Sequence, residues 1–319
     1  MLKEIAVKGK LSVVIPCYNS EQNIQSVIQK DIEIFKELAV EQYEFILVND
    51  CSKDNTWELI KQMAQENAHI VSINLAKNCG QHGAIMAGFH YVTGDYVVVS
   101  DDDGQTKMEV VGEMMEKIQE GYDVVTTEWT TKSKRSLIRK MGTKLSDWMN
   151  EVLLKAPKGV AVSIFFMAKR FIIDEVIKYD NPYPHIPGLI LRTSHNIGVV
   201  QTEQLDRQNG VSGYSFRKLM SLWMNGFTAF SVVPLRIATY LGVFSALVGF
   251  VYGIFIIIRK LVASNIPAGW SSTIAILLFM SGIILCVLGM IGEYVGRIYM
   301  CINNTPQYIV KEVAKENEE

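Results

Sequence analysis

The polar and apolar positions of this 319-residue chain follow two different rhythms. Up to about residue 130, short apolar runs rich in β-branched residues recur at LSVVIP (11–16), YEFILVND (43–50), IVSINL (70–75), YVVVSD (96–101) and DVVTT (123–127). The stretches between them, around 22–37, 56–67, 81–92 and 109–119, read as helices. Strands alternating with helices predict an α/β fold with a mainly parallel sheet covered on both faces. The nearly continuous apolar strands agree, because a doubly covered strand has no solvent face. Residues 142–212 carry a weaker pattern, with an apolar run at VSIFFMAK and a rigid loop, PYPHIPG, at 182–188.

The second rhythm begins near residue 237. Ile237–Ile258 and Trp270–Gly292 are runs of 22 and 23 residues without a charge. Each exceeds the roughly 20 residues a helix needs to cross a bilayer core. They predict a transmembrane hairpin over 236–300, preceded by an interfacial amphipathic helix over 213–235 that mixes aromatics and Leu/Met with Arg217 and Lys218. Residues 1–212 then form the α/β domain and 301–319 a cytoplasmic tail. Residues 1–19 hold no apolar segment of the signal-peptide kind, so the α/β domain is expected on the cytoplasmic face of the inner (plasma) membrane, in a multi-pass protein. Arg217, Lys218, Arg236, Arg297 and Lys311 flank the spans on that side, while Arg259 and Lys260 in the connecting loop oppose this orientation. Gly249-x-x-x-Gly253 and Gly292-x-x-x-Gly296 would let helices approach closely, within the hairpin or between protomers of a homo-oligomer.

Charge and composition exclude several partners and chemistries. A formal net charge of −2 gives no general affinity for nucleic acid. The five cysteines are scattered and suit a reducing compartment. No P-loop, dinucleotide fingerprint, zinc-type histidine motif or G-x-S-x-G elbow occurs.

What remains lies at the carboxyl ends of the strands, where open parallel sheets bind ligands. Asp50 ends the second apolar run, and Asp101, Asp102 and Asp103 end the fourth. Adjacent carboxylates repel unless a solvated turn or a cation compensates. Mg2+ or Mn2+ suits such oxygen donors and leaves positions open for phosphate oxygens. Asp101 and Asp103, one residue apart, could both face an ion from an extended turn, with Asp102 pointing elsewhere. The basic segment KSKRSLIRK (132–140) is either a solvated face or an anion or membrane-surface contact.

The ordered motifs VVIPCYNSEQNI, ILVNDCSKDNT, NLAKNCGQHGAIMAGF, SDDDGQ, RQNGVSGYSFRKLMSLWMNGFTAFSVVPLR and GEYVGRIY span nearly the whole chain. Together they resemble the membrane-anchored, inverting family 2 glycosyltransferases of GT-A fold, closest to bacterial polyprenyl-phosphate glycosyltransferases and dolichol-phosphate mannose synthases. The resemblance implies a nucleotide-contacting loop at Pro16, Tyr18, Asn19 and Glu21, and a base-receiving aspartate at Asp50, with Ser52 and Asp54 nearby. It implies a loop closing over base and ribose at Gly80, Gln81 and His82, and a metal-binding D-x-D motif at Asp101 and Asp103 followed by Gln105, with Asp102 at the nucleotide. Arg207, Ser212 and Tyr214 would fold over the donor diphosphate, and Arg135, Arg139 and Lys140 would take the acceptor phosphate. Asp102 stands where many relatives have alanine, Gly104 where leucine is common, and the PKGVAVSIFFMAK region lacks an acidic element some relatives carry.

The expected activity is transfer of one sugar from a nucleotide sugar, most readily a UDP-sugar, to undecaprenyl phosphate. Asp101, Asp103 and Arg207 would be the catalytic residues. A membrane nucleotidyltransferase would use a similar sheet and metal, and a non-catalytic nucleotide-sugar-binding protein would keep the sheet alone.

Overall fold

A computed structural model describes residues 9–129, 162–202, 269–303 and 305–316, with parts of 239–258. The chain divides into two compact units, one of Met1–Leu219 with Asn304–Glu319 and one of Met220–Asn303.

In the first unit an alternating chain builds most of the sheet: β1 (Leu11–Cys17), α1 (Ile24–Glu37), β2 (Tyr43–Asn49), α2 (Thr56–Glu66), β3 (Ile70–Leu75), α3 (Gly80–Phe89), β4 (Tyr96–Val99), α4 (Val111–Gln119) and β5 (Val124–Trp129). The five strands and four helices expected from the apolar rhythm are all present. β6 (Phe166–Lys169), α5 (Arg170–Val176), α6 (Ile186–Thr193), β7 (Ile197–Thr202) and β8 (Val310–Ala314) complete it. The eight strands lie in the order β7-β5-β6-β4-β1-β2-β3-β8. β1 is central and parallel to both β2 and β4, and β3 runs parallel to β2. β6 is antiparallel to both β4 and β5, and β8 is antiparallel to β3, so the sheet is mixed.

The helices cover the sheet by the expected apolar stripes. α1 buries Ile24, Val27, Ile28, Ile34 and Phe35, and α4 buries Val111, Met114, Met115 and Ile118, a spacing of three and four residues that keeps one face inward. α3 has no polar face beyond its first turn, and Gly83–Phe89 are all buried. It lies close on the sheet because Gly88 lacks a side chain: a Cβ there would stand 2.5 Å from Val14 Cγ1 and 3.1 Å from Val48 Cγ2.

Pro16 occupies the central strand, where proline normally costs a ladder bond. Even-numbered residues of β1 face β4, as the bonds from Tyr96 N to Lys10 O and from Ser100 N to Val14 O show. The β1–β4 pairing ends at Val14 with Val99, so the missing N–H of Pro16 points where no strand remains to be paired. β1 continues along β2 to Cys17 paired with Asn49, and a crevice opens on the other side.

Within the segment expected as a cytoplasmic tail, 301–319, Val310–Ala314 joins the sheet as β8. Its half-exposed VKEVA alternation is the pattern of an edge strand. In the second unit α7 (Trp270–Ile302) spans 33 residues, contains the expected second span at 270–292 and continues ten residues past it. Phe279–Ile302 is long and apolar enough to cross a membrane, and none of its most apolar window is buried within the protein. A core helix of a soluble domain would bury such a surface. A shorter apolar helix covers Gly242–Tyr252. The expected amphipathic helix at 213–235 lies outside the described residues.

An acidic side chain without a hydrogen-bond partner for one of its oxygens among the described residues is built into the core. Asp31, on the inner face of α1, is 4% exposed, and its Oδ2 finds no hydrogen-bond partner among the described residues. Burial pushes its carboxyl up to about 8, with Glu109 adding to the rise and Lys30 opposing it. An unfolded chain releases this proton near pH 4, so between about pH 4 and 8 the folded state holds one proton more. Stability then falls as pH rises through that window, by up to about 1.4 kcal/mol per pH unit. Asp31→Asn is neutral throughout. Denaturant titrations should find it more stable than wild type at pH 8 and equal near pH 4, and parallel pH profiles would refute the burial of a proton here.

Candidate active site

The carboxyl ends of β1, β2, β3 and β4 form one rim, and the loops that leave them are laced together. Asn19, at φ +53°, and Cys51, at φ +55°, turn the first two loops through the left-handed region. Asn19 N donates to Ser52 Oγ at 3.0 Å, and Lys53 N returns a bond to Asn19 Oδ1 at 2.9 Å. Asn55 N donates to Glu21 Oε2 at 2.9 Å, at the start of α2, and Glu21 N donates to Asp54 Oδ2 at 3.3 Å. Asn19, Glu21 and Ser52, expected at the nucleotide, thus hold the β1 loop to the β2 loop. Tyr18 is exposed beside them, and Pro16 lies in β1 at the crevice.

Asp50 is 3% exposed and points across to α3. Its Oδ1 accepts from Cys79 N at 2.6 Å and its Oδ2 from Gly80 N at 2.9 Å, capping a helix whose own N-cap residue makes no such bond. Asn78 Nδ2 also donates to the Asp50 carbonyl, at 3.0 Å. Burial raises the Asp50 carboxyl above its ordinary range, and the two amide bonds pull it back. The next residue of α3, Gln81, donates from Nε2 to Asp101 Oδ1 at 2.9 Å. Two consecutive residues, Gly80 and Gln81, therefore touch both acidic strand ends.

The aspartate triplet separates into different environments. Asp102 turns back to the β1 loop, where its Oδ2 accepts from Tyr18 N at 3.0 Å and from the Ser20 hydroxyl. Burial raises its carboxyl, these two bonds lower it, and Asp103 adds repulsion. Asp103 Oδ1 accepts from the backbone N of Gln105 at 3.0 Å, a local turn made possible by Gly104 at φ +71°. The side chain that points elsewhere from the outset is Asp102, and it is a structural tie.

His82 departs from the rim. Its ring packs 5.1 Å from that of His185, and its Nδ1 finds no hydrogen-bond partner among the described residues. Burial lowers His82 to about 3, with His185 contributing, and lowers His185 to about 4. Both rings are neutral at physiological pH, so His82 offers a phosphate no positive charge. His185 caps α6 by accepting from Gly188 N at 3.1 Å, ahead of the proline in that helix's first turn. Ser20 and His185 escaped the sequence reading. His185-Ile-Pro carried a capping signal, whereas no spacing pointed Ser20 at Asp102.

Among the described residues no group of three or more His, Cys, Asp or Glu side chains forms a metal cage. The donor set at the turn, Asp101 and Asp103, instead matches ions held by one or two carboxylates that complete their shell with substrate phosphates and water. Behind the turn lies a cavity of about 50 Å³ lined by Ser26, Lys30, Asp31, Ser100, Asp101 and Thr106. Arg135, Arg139, Lys140, Arg207, Ser212 and Tyr214 lie outside the described residues.

Asp102→Ala should leave the Tyr18 amide and the Ser20 hydroxyl without their acceptor and lower stability by about 1–3 kcal/mol in denaturant titration. Asp102→Asn, which keeps one acceptor oxygen, should cost less. Equal stability of both variants with wild type would remove Asp102 as the tie.

Known proteins place this geometry. Residues 12–177 match the Glycosyl transferase family 2 model, and residues 233–298 match the GtrB C-terminal hairpin. The SfII prophage-derived bactoprenol glucosyl transferase of Shigella flexneri is 32% identical over 311 residues, 97% of this chain and 99% of that protein. The undecaprenyl-phosphate 4-deoxy-4-formamido-L-arabinose transferase of Proteus mirabilis is 33% identical over 308 residues, 96% of this chain and 94% of that protein. The crystal structure of a mycobacterial protein shares the fold at a TM-score of 0.51 and 17% identity, over 69% of this chain and 74% of that one. The mixed α/β sheet is the GT-A architecture expected from the motifs. The chain belongs to glycosyl transferase family 2: it is a glycosyltransferase whose catalytic sheet is followed in sequence by a GtrB-type hairpin.

Proposed function

We propose that the protein transfers a single sugar from a nucleotide sugar, of UDP type, to undecaprenyl phosphate at the cytoplasmic face of the inner membrane, with inversion at the anomeric carbon. The product would supply lipid-linked sugar for modifying a cell-envelope glycan. The observation that carries this reading is end-to-end similarity to bactoprenol and undecaprenyl-phosphate sugar transferases in a chain that keeps the acidic rim.

The acceptor is a phosphate monoester, largely ionised at neutral pH, so its oxygen attacks without a general base. The new bond joins that oxygen to the anomeric carbon. The carbon–oxygen bond to the diphosphate breaks, and its electron pair leaves with the nucleoside diphosphate. Asp101 and Asp103 would hold Mg2+ or Mn2+, and a bound divalent ion would supply neutralisation of the charge on the leaving group. Gln81 orients Asp101 by its bond to Oδ1. Asp50 holds the α3 amides, and each of its oxygens keeps a second lone pair for the N–H of a base. Arg207 with Ser212 and Tyr214 would close over the diphosphate, and Arg135, Arg139 and Lys140 would hold the acceptor phosphate for in-line attack.

β8 supports a multi-pass topology. It follows the apolar hairpin in sequence, yet belongs to the same sheet as β1–β7. Hydrogen-bonded strands cannot lie on opposite sides of a bilayer, so any crossings by the intervening chain come in an even number, as in the expected two-span hairpin.

The purified full chain, incubated with undecaprenyl phosphate and a panel of nucleotide sugars, should yield a lipid heavier by one sugar residue, with release of a nucleoside diphosphate. Pyrophosphate release would make it a nucleotidyltransferase, and no lipid product from any donor would overturn the reading. Asp103→Ala should abolish transfer while still inserting into membranes. Full activity of that variant in the presence of a chelator would remove the metal.

A further inference from the structure

The chain that follows α7 passes beside the donor rim before it becomes β8. Gln307 Nε2 donates to two carbonyls of one loop, Tyr179 O at 2.5 Å and Asn181 O at 2.9 Å. The Gln307 carbonyl faces the first turn of α3, 3.7 Å from where a Cβ of Gly83 would stand. Tyr308 Oη lies 2.8 Å from His90 Nδ1, at the far end of α3. Ala76 N, at the exit of β3, donates to Ile309 O at 2.8 Å, and the ladder continues with Leu75 opposite Val310. Farther along, Lys61 of α2 pairs with Glu312.

These contacts converge on two loops that the rim depends on. The β3–α3 loop ends at Cys79, which with Gly80 and Gln81 at the start of α3 bridges Asp50 and Asp101. The 179–185 loop ends in His185, whose ring packs on His82, the next residue of α3. A path therefore runs from Gln307 to the backbone of the 179–185 loop, along that loop to the histidine pair, and on to the α3 turn that holds Asp101. None of the site residues expected from the motifs lies in this segment.

We infer that residues 305–314 are a positioning strap for the donor site, and that Gln307 fixes it. The strap holds the start of α3 and the 179–185 loop at one spacing, and so sets where Gly80 and Gln81 present themselves to a nucleotide. The inference rests on the donor reading given above for the chemistry at the rim. Gln307 acts through other groups and touches no reacting atom.

The side chain can be altered without changing its size. Gln307→Glu sets a carboxylate oxygen against two carbonyls in place of an N–H donor. The test uses full-length protein in membranes, with UDP-glucose as the probe donor and undecaprenyl phosphate as acceptor. Gln307→Glu should raise the donor KM about fivefold to tenfold, the scale of one or two lost hydrogen bonds. The acceptor KM and kcat should stay within about twofold, a split that general loosening of the fold would not produce. Hydrogen exchange should show faster exchange at backbone amides 77–82 and 179–185, with the core strands unchanged. Gln307→Ala, which brings no new charge, should move both readouts in the same direction and serves if the glutamate variant does not fold. An unchanged donor KM with unchanged exchange overturns the strap, and altered exchange with an unchanged donor KM overturns its role at the donor site. If wild type turns over no UDP-glucose, the donor choice fails separately, and the exchange measurement decides the strap.

Discussion

The parting of β2 and β4 at the end of β1 is the constraint on which the rest depends. A strand paired in parallel on both sides must send its neighbours back over the faces through helices, so all three strands finish on one edge. β4 stops pairing at Val99 while β1 runs on to Cys17 beside β2. Pro16 tolerates the gap because its ring nitrogen has no hydrogen to satisfy. Among the described residues the candidate site is arranged around that opening: the β1 and β2 loops on one side, the aspartate turn on the other, and the start of α3 across them.

The rim carries four aspartates in a small space, and their repulsion is managed by giving them different work. Asp50 is neutralised in part by the amides at the positive end of α3. Asp102 is withdrawn into the β1 loop against Tyr18 and Ser20. Asp101 and Asp103 are left at the turn, steadied by Gln81 and by the Gln105 amide. At the opposite edge of the sheet the buried carboxylate of Glu44 is handled differently. It is saturated by Lys10, Ser12 and Thr93 and lies below its ordinary range, as fits a purely structural group. Glu44, saturated at the base of the strands, contrasts with Asp50 and Asp102 at the rim, whose carboxyls burial raises above the ordinary range.

β1 to β5 and the four helices between them were legible because each buries a continuous apolar run or stripe, and burial writes itself locally. β6 was less so, since four residues antiparallel to two partners leave too short a pattern to distinguish from any apolar run. β8 was illegible: an edge strand shows water one face, and its partner Ile70–Leu75 lies more than two hundred residues earlier. The separation of the aspartate triplet was half legible. Alternation along an extended turn sets Asp102 apart from its neighbours, but its partners are a backbone amide and a hydroxyl over eighty residues away.

The sequence alone determined the alternating α/β sheet, the two long apolar runs, and the motifs that assign the family, because hydrophobic period and fixed local spacings are properties of consecutive residues. Only the tertiary structure decided which carboxylates hold loops, that His82 turns to His185, and that the chain after α7 returns to the sheet as β8. Those outcomes depend on distances between segments remote in the chain, which the packing of α3 on β1 and β2 sets and no local pattern records.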